Sequence, residues 1–294
     1  GNMVQSNSMA DAMHVAFGVP EWVTGLAVAL GVGAVILGGI RSIGRFTGVF
    51  VPMMVLLYLV ASGVVLVLFA DRIPAALALI FHDAFTGSAA AGGFLGATLA
   101  QAMRYGVARG IFSNESGLGS AGIAAAAAQT KEPVRQALVS MTQTFIDTIV
   151  VCTFTGVAIV ATGVWNSGEN GAALTQSAFA AAMPNGIGAA VVAVCLALFA
   201  FSTILGWAYY GGRSVEYLLG ERAILPYRLA FIAAAFAGSV YSLDFVWLVS
   251  DLMNGLMALP NLIGLLLLSG VAARETRLYF ERQSAAGMTG RPGQ

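Results

Sequence analysis

An all-α polytopic membrane protein is what this sequence predicts, and three observations carry the prediction. Of 294 residues, 58% are apolar and only 10% are charged, against roughly 25% charged in a soluble domain. Mean hydropathy is +0.83. The apolar residues also gather into stretches of about 20, the length a helix needs to cross a ~30 Å hydrocarbon core. A soluble globule of this size would bury only ~75% of its surface, and 14 basic plus 14 acidic side chains could not coat the remainder. That argues against a water-soluble enzyme or nucleic-acid binder. The balanced charge gives no reason to expect a polyanionic partner. Cys152 and Cys195 sit in separate apolar runs, so neither a disulfide framework nor a metal spacing is present.

Seven stretches read as spans: 22–40, 49–69, 99–128, 137–162, 187–210, 225–238 (extending toward 242) and 246–271. The third is long and interrupted by glycines and polar residues. Two connecting segments are amphipathic. Residues 73–85 place Ile73, Leu77, Ile80 and Phe81 at helical spacing, and 174–183 do the same with Leu174, Ala178 and Phe179. Such helices either cap a pathway from the outer face or only tie spans together.

Orientation follows from the basic residues. Arg41 and Arg45 separate the first two stretches, Lys131 and Arg135 the third and fourth, and Arg213, Arg222 and Arg228 the fifth and sixth. Arg274, Arg277, Arg282 and Arg291 follow the seventh, so basic residues recur on alternate sides, which predicts the cytoplasmic face. The expectation is a multi-pass protein of the cytoplasmic (inner) membrane with residue 1 outside and the C-terminus inside. The chain opens Gly1-Asn2-Met3-Val4-Gln5 with no initiator methionine and no signal peptide. An outside start without a preceding span predicts a piece lacking its upstream helices.

Ionisable groups at membrane depth are costly and mark functional sites by default. Here they are Arg104, Arg109, Glu115, Asp147 and Asp251, and the most unusual segment is Arg109-Gly110-Ile111-Phe112-Ser113-Asn114-Glu115-Ser116-Gly117-Leu118-Gly119-Ser120. Glycines let the backbone leave helical geometry. A discontinuous helix then frees carbonyls at one half's end and amides at the other's start, which bind coupling ions and anionic groups near the midplane. The plainer reading is a packing kink against a neighbouring helix; packing alone does not explain Ser113, Asn114 and Glu115 together. Arg109 and Glu115 are candidates to pair with each other as a gate or brace.

The fifth stretch carries Phe201-Ser202-Thr203-Ile204-Leu205-Gly206-Trp207-Ala208-Tyr209-Tyr210. Adjacent hydroxyls can ligate a small hard cation such as sodium, or simply back-bond to the preceding turn. Trp207, four residues from Thr203 and on the same face, either walls a small pocket or joins an interfacial belt. Asp147 and Asp251 have three open roles: relaying protons, pairing with an arginine, or capping a bend. Pro260-Asn261 predicts a break or kink in the seventh span.

Four motifs resemble those of the alanine/glycine:cation symporter family. They are Gly106-Val107-Ala108-Arg109 continuing to Ser120, Phe145-Ile146-Asp147-Thr148 continuing to Thr153, Ser202-Thr203-Ile204-Leu205-Gly206-Trp207 continuing to Gly211, and Asn254-Gly255-Leu256-Met257-Ala258-Leu259-Pro260-Asn261-Leu262. The resemblance covers essentially the whole chain. It implies a leucine-transporter-type fold, two five-helix halves in inverted repeat with the first helix of each half broken. Residues 1–70 would be the tail of the first half, 71–273 the second half with its broken helix near 109–120, and 274–294 a cytoplasmic tail. The other broken helix would lie upstream, so autonomous transport by this piece is not expected.

Carried over residue by residue, the resemblance implies that the unwound stretch from Ile111 through Phe112, Ser113 and Asn114 to Gly117 offers backbone groups to a small amino acid. Phe112 and Trp207 would limit its side-chain pocket, and Gln5 would line it from the preceding helix. Ser202 and Thr203 would supply oxygens to a sodium ion. Arg109, Glu115, Asp147 and Asp251 would be gating or structural charges. No organic cofactor is implied; sodium is the coupling ion.

The expected function is therefore sodium-coupled symport of alanine or glycine by alternating access. The partners are a small neutral amino acid, sodium and the lipid bilayer, with no nucleic acid. The alternatives are a proton-coupled or other-substrate carrier of the same fold, or a non-transporting membrane fragment. An intramembrane enzyme would use Asp147 and Asp251 as paired carboxylates, but they lie on different stretches without a Gly-x-Gly-Asp-type context. Nothing in the sequence calls for a channel pore.

Overall fold

The computed structural model describes residues 1–37, 39–84 and 99–289, and every regular element among them is helical. In chain order these are α1 (Asn2–Phe17), α2 (Glu21–Leu37), α3 (Gly39–Leu68), α4 (Ile73–Ala84), α5 (Leu99–Asn114), α6 (Ser120–Ala126), α7 (Pro133–Thr144), a π-helix (Phe145–Cys152), α8 (Thr153–Thr162), α9 (Gly171–Ala182), α10 (Ile187–Leu219), α11 (Ile224–Val240) and α12 (Leu243–Thr289). Five helical segments are long and apolar enough to cross a membrane: Thr47–Leu68, Pro133–Thr162, Ile187–Leu219, Glu221–Val240 and Leu243–Ala285.

The expected spans differ from this in specific ways. The first, α2, is only 17 residues long. Arg41 and Arg45 lie within the opening turns of α3 rather than in a loop. The third stretch is two helices, α5 and α6, separated by residues 115–119. The helix of the seventh stretch does not break at Pro260 but runs unbroken from Leu243 to Thr289. A proline removes one backbone donor, and in a helix this long the flanking turns carry the chain through. The amphipathic segments are helices α4 and α9; Phe85 and Arg291 lie outside the described residues.

α10 is the central element. On one side Ala200, Ile204, Leu205 and Ala208 pack with Met9 of α1 and Val28, Val32 and Ile36 of α2. On the other, Val192 and Cys195 join Tyr58, Ala61 and Val65 of α3, Ala158 of α8, and Ala178 and Phe179 of α9. Tyr58 stacks on Phe179 with ring centroids 5.8 Å apart. α9 is thus no surface strap: Phe179 is fully buried, and the Gln176 amide donates to the Ala12 carbonyl at 3.0 Å.

In a bilayer the lipid competes for apolar contact, so helices are held by small residues at close crossings and by polar side chains between them. α1 shows both. A Cβ on Gly238 of α11 would fall 2.5 Å from the Met3 Cα, and one on Gly25 of α2 would strike the Ser239 side chain. Asn2 donates to the Phe231 carbonyl at 2.9 Å, and Asn7 donates to the carbonyls of Gly238 and Tyr241 at 2.9 and 2.8 Å. The two Asn7 contacts satisfy carbonyls at the C-terminal end of α11, where the helix leaves them unpaired, while Asn2 reaches a carbonyl in mid-helix. A polar helix is thereby buried among apolar ones.

Candidate functional site

The site is built around the break between α5 and α6. α5 ends at Asn114, where the Glu115 amide still closes on the Ile111 carbonyl at 2.8 Å. The chain then enters left-handed geometry, with φ of 57° at Glu115, 82° at Gly117 and 93° at Gly119. That region is open to glycine but strained for Glu115. The Asn114 side-chain oxygen accepts from the Ser116 amide at 3.0 Å, making a turn that competes with further helix. α6 resumes at Ser120.

Three neighbouring elements grip this break. The first is the π-helix. Ser113 donates to the Asp147 carboxylate at 2.8 Å, Thr148 donates to the same oxygen at 3.2 Å, and the Asn114 amide donates to Thr148 at 3.0 Å. Gln143, just ahead of the π-helix, donates to the Asn114 carbonyl at 3.4 Å. A π turn admits one extra residue and re-aims the side chains that follow, which is why such turns recur at functional sites. Here the widened turns hold Asp147 and Thr148 against Ser113 and Asn114.

The second is α12. Arg109 places Nη2 at 2.6 Å from both Asp251 carboxylate oxygens. Its guanidinium also lies 3.7 Å above the Trp247 ring, and Phe112 meets the same ring edge-on at 4.9 Å. This corrects the expected Arg109–Glu115 pairing. Six residues separate those two along a helix that ends between them, so they leave on different faces. Farther along α12, Asn261 donates to the Gly117 carbonyl at 2.9 Å.

The third is the α1–α10 crossing. Trp207 lies so close to Gly1 that a Cβ there would be 2.6 Å from the indole. The Glu115 carboxyl group lies near the side chains of Ser120 and Trp207, and the buried Ser120 hydroxyl has no hydrogen-bond partner among the described residues. Trp207 therefore faces the break rather than an interfacial belt, and Tyr210 packs edge-on against it at 5.9 Å. Gln5 stands one turn along α1 from Gly1.

Of the expected unwound stretch, Ile111, Phe112, Ser113 and Asn114 still belong to the last turn of α5, which corrects the sequence reading; Glu115 and Gly117 lie in the break, with Asp147 and Trp207 on two sides of it. Phe112 and Trp207 do not share a partner: one packs on α12, the other stands beside Gly1. Ser202 lies apart, donating to the Phe199 carbonyl at 2.9 Å and approaching the Met54 sulfur at 3.9 Å. Thr203 is half-buried on the same helix. Asp147 and Asp251 are taken by different partners, so no paired-carboxylate centre forms. Sequence reading misses Trp247, Thr148 and Asn261 as contributors, and α1, expected only as the helix that carries Gln5, is not among the seven stretches.

The chain is similar in sequence to known transporters. The family model described as the sodium:alanine symporter family matches residues 1–291. A sodium/alanine symporter of Methanococcus maripaludis is 51% identical over 96% of this chain and 62% of its own length. An uncharacterized transporter of Haemophilus influenzae is 50% identical over 96% of the chain and 62% of its own. A sodium/proton-dependent alanine carrier protein of Bacillus sp. is 33% identical over 95% of the chain and 66% of its own. The chain spans about three-fifths of the length of the first of these relatives. With a family model matched across almost all of it, the chain belongs to the sodium:alanine symporter family.

Proposed function

We propose that the chain forms the part of a sodium-coupled symporter that carries the second broken helix, and that its substrates are alanine, glycine or a similarly small neutral amino acid. The observation that carries this reading is the left-handed break at 115–119, held from three sides by the π-helix, α12 and Trp207. The break leaves backbone groups for a zwitterion at membrane depth, while Phe112 and Trp207 restrict side-chain room. Gln5 completes the lining from α1. Ser202 and Thr203 offer hydroxyl oxygens to sodium; the Ser202 proton goes to Phe199, which leaves its lone pairs toward a cation. The inverted-repeat fold, the cytoplasmic membrane and a cytoplasmic C-terminus belong to the same proposal. They are supported by the family match and by the alternating arginines.

The test is uptake of labelled alanine into proteoliposomes, with and without an inward sodium gradient. It uses this chain alone and a fusion carrying the upstream helices of the Methanococcus maripaludis relative ahead of Gly1. Sodium-driven uptake by the fusion supports the reading, and loss of sodium dependence in Thr203→Val supports the ion site. A membrane-inserted fusion that takes up neither alanine nor glycine on a sodium gradient overturns it; uptake driven by protons instead reassigns the coupling ion.

A further inference from the structure

The turn at 115–119 has two local hydrogen bonds, from the Ser116 amide to the Asn114 side-chain oxygen at 3.0 Å and from the Leu118 amide to the Glu115 carbonyl at 3.3 Å, and neither engages Gly117 or Gly119. It contains three left-handed residues, and α6 begins at Gly119 with no side-chain cap. Left to local preferences, Glu115 would relax toward right-handed geometry. What opposes this comes from α12, 144 positions away. The Asn261 amide donates to the Gly117 carbonyl at 2.9 Å. The same side chain closes over the second glycine: a Cβ on Gly119 would lie 3.3 Å from Asn261 Oδ1 and 3.4 Å from its amide carbon. Leu262, the next residue, lies 3.8 Å from where a Cβ on Gly117 would be. One short side chain thus touches the turn at both of its glycines.

We infer that Asn261 is a positioning residue for the substrate segment. Its amide fixes the Gly117 carbonyl and crowds a side chain at Gly119, which would push it aside by a few tenths of an ångström, and so holds residues 115–119 out of helical geometry. A carbonyl accepts two hydrogen bonds, so a substrate ammonium at Gly117 shares this oxygen with Asn261 rather than finding it vacant. The inference rests on the proposed function only where it supposes that substrate binds this segment; the conformational claim stands without it.

The experiment reads both parts. Ser116→Cys, on a Cys152→Ser background, reports the exposure of the turn through its rate of maleimide labelling in proteoliposomes; the remaining Cys195 is buried. Asn261→Asp keeps the shape but loses the donor, and Asn261→Ala removes both. Losing one hydrogen bond corresponds to about five- to tenfold. The expected result is a labelling rate changed by about that factor, and a similar rise in the alanine concentration for half-maximal uptake by the fusion, with the maximal rate little altered. If either variant fails to reach the membrane, Gly119→Ala, which pushes against the Asn261 amide, must reproduce the pattern. Labelling and half-saturation equal to the parent's overturn the inference, as does a fall in maximal rate alone. If the parent fusion does not transport, the proposed function fails and labelling alone decides the role of Asn261.

Discussion

Arg109 and Asp251, 142 positions apart, form an ion pair in which one guanidinium nitrogen lies 2.6 Å from both carboxylate oxygens. Trp247, one turn before Asp251 in α12, stacks beneath the same guanidinium at 3.7 Å. The pair ties the last turns of α5, just ahead of the break, to a helix that between Asp251 and Arg274 presents mostly apolar, exposed side chains. The planar guanidinium suits both contacts at once, which a lysine would not.

Both side chains are about one-third exposed, so the pair is worth less than a fully buried one at ~3–5 kcal/mol and more than a surface pair at ~0–1 kcal/mol. A double-mutant cycle of Arg109→Met and Asp251→Leu, read by thermal unfolding in detergent, should give a coupling of about 1–2 kcal/mol. Arg109→Lys should lose most of it despite keeping the charge. Additive single effects would show that the pair does not hold α5 to α12.

The close helix crossings predict a contrast among glycines. Gly238→Ala would set a Cβ against the Met3 backbone, and Gly188→Ala would set one against the Phe179 backbone. Since backbone cannot swing aside, each should destabilise by about 1–3 kcal/mol, the usual range for overpacking. Gly156→Ala in α8 meets nothing within 4 Å and should be neutral or stabilising by up to ~1 kcal/mol. Equal melting temperatures for all three variants would refute the α1–α11 and α9–α10 packing.

The π-helix predicts that register matters more than charge. Deleting Ile149 would return one residue to α-helical register and rotate one part of Phe145–Cys152 by about 100° relative to the other. That should turn Asp147 and Thr148 together, relative to the packed α8, away from Ser113 and Asn114 and abolish uptake. Asp147→Asn keeps an acceptor for Ser113 and should lower uptake by about tenfold or less, one hydrogen bond's worth. Normal uptake by the deletion would remove the π-helix from the account.

Legibility in the sequence follows the same physics. The break was readable because Gly117, Gly119 and a run of Ser, Asn and Glu contradict an apolar helix locally. α1 is not among the expected spans, because Asn2, Ser6 and Asn7 interrupt an apolar run; in the fold all three are buried, Asn2 and Asn7 donating to α11. Polarity signals exposure in a soluble protein, but between packed membrane helices it signals contact. The π-helix was hidden for another reason: Phe145–Cys152 has an ordinary apolar pattern, and Ser113 and Asn114, more than thirty residues earlier, meet it only in the folded chain. The partner of Arg109 was equally remote. Asp251 was flagged as a costly charge and left with three roles, among which only the fold could choose.

The most direct measurement of the central claim is substrate protection of the break. Ser116→Cys, in the fusion that carries the upstream helices, is labelled with maleimide in the presence of sodium or potassium, with and without saturating alanine. The account predicts that alanine slows labelling several-fold in sodium and has no effect in potassium. Labelling indifferent to alanine, in a protein that transports alanine on a sodium gradient, would place the substrate elsewhere and contradict the account.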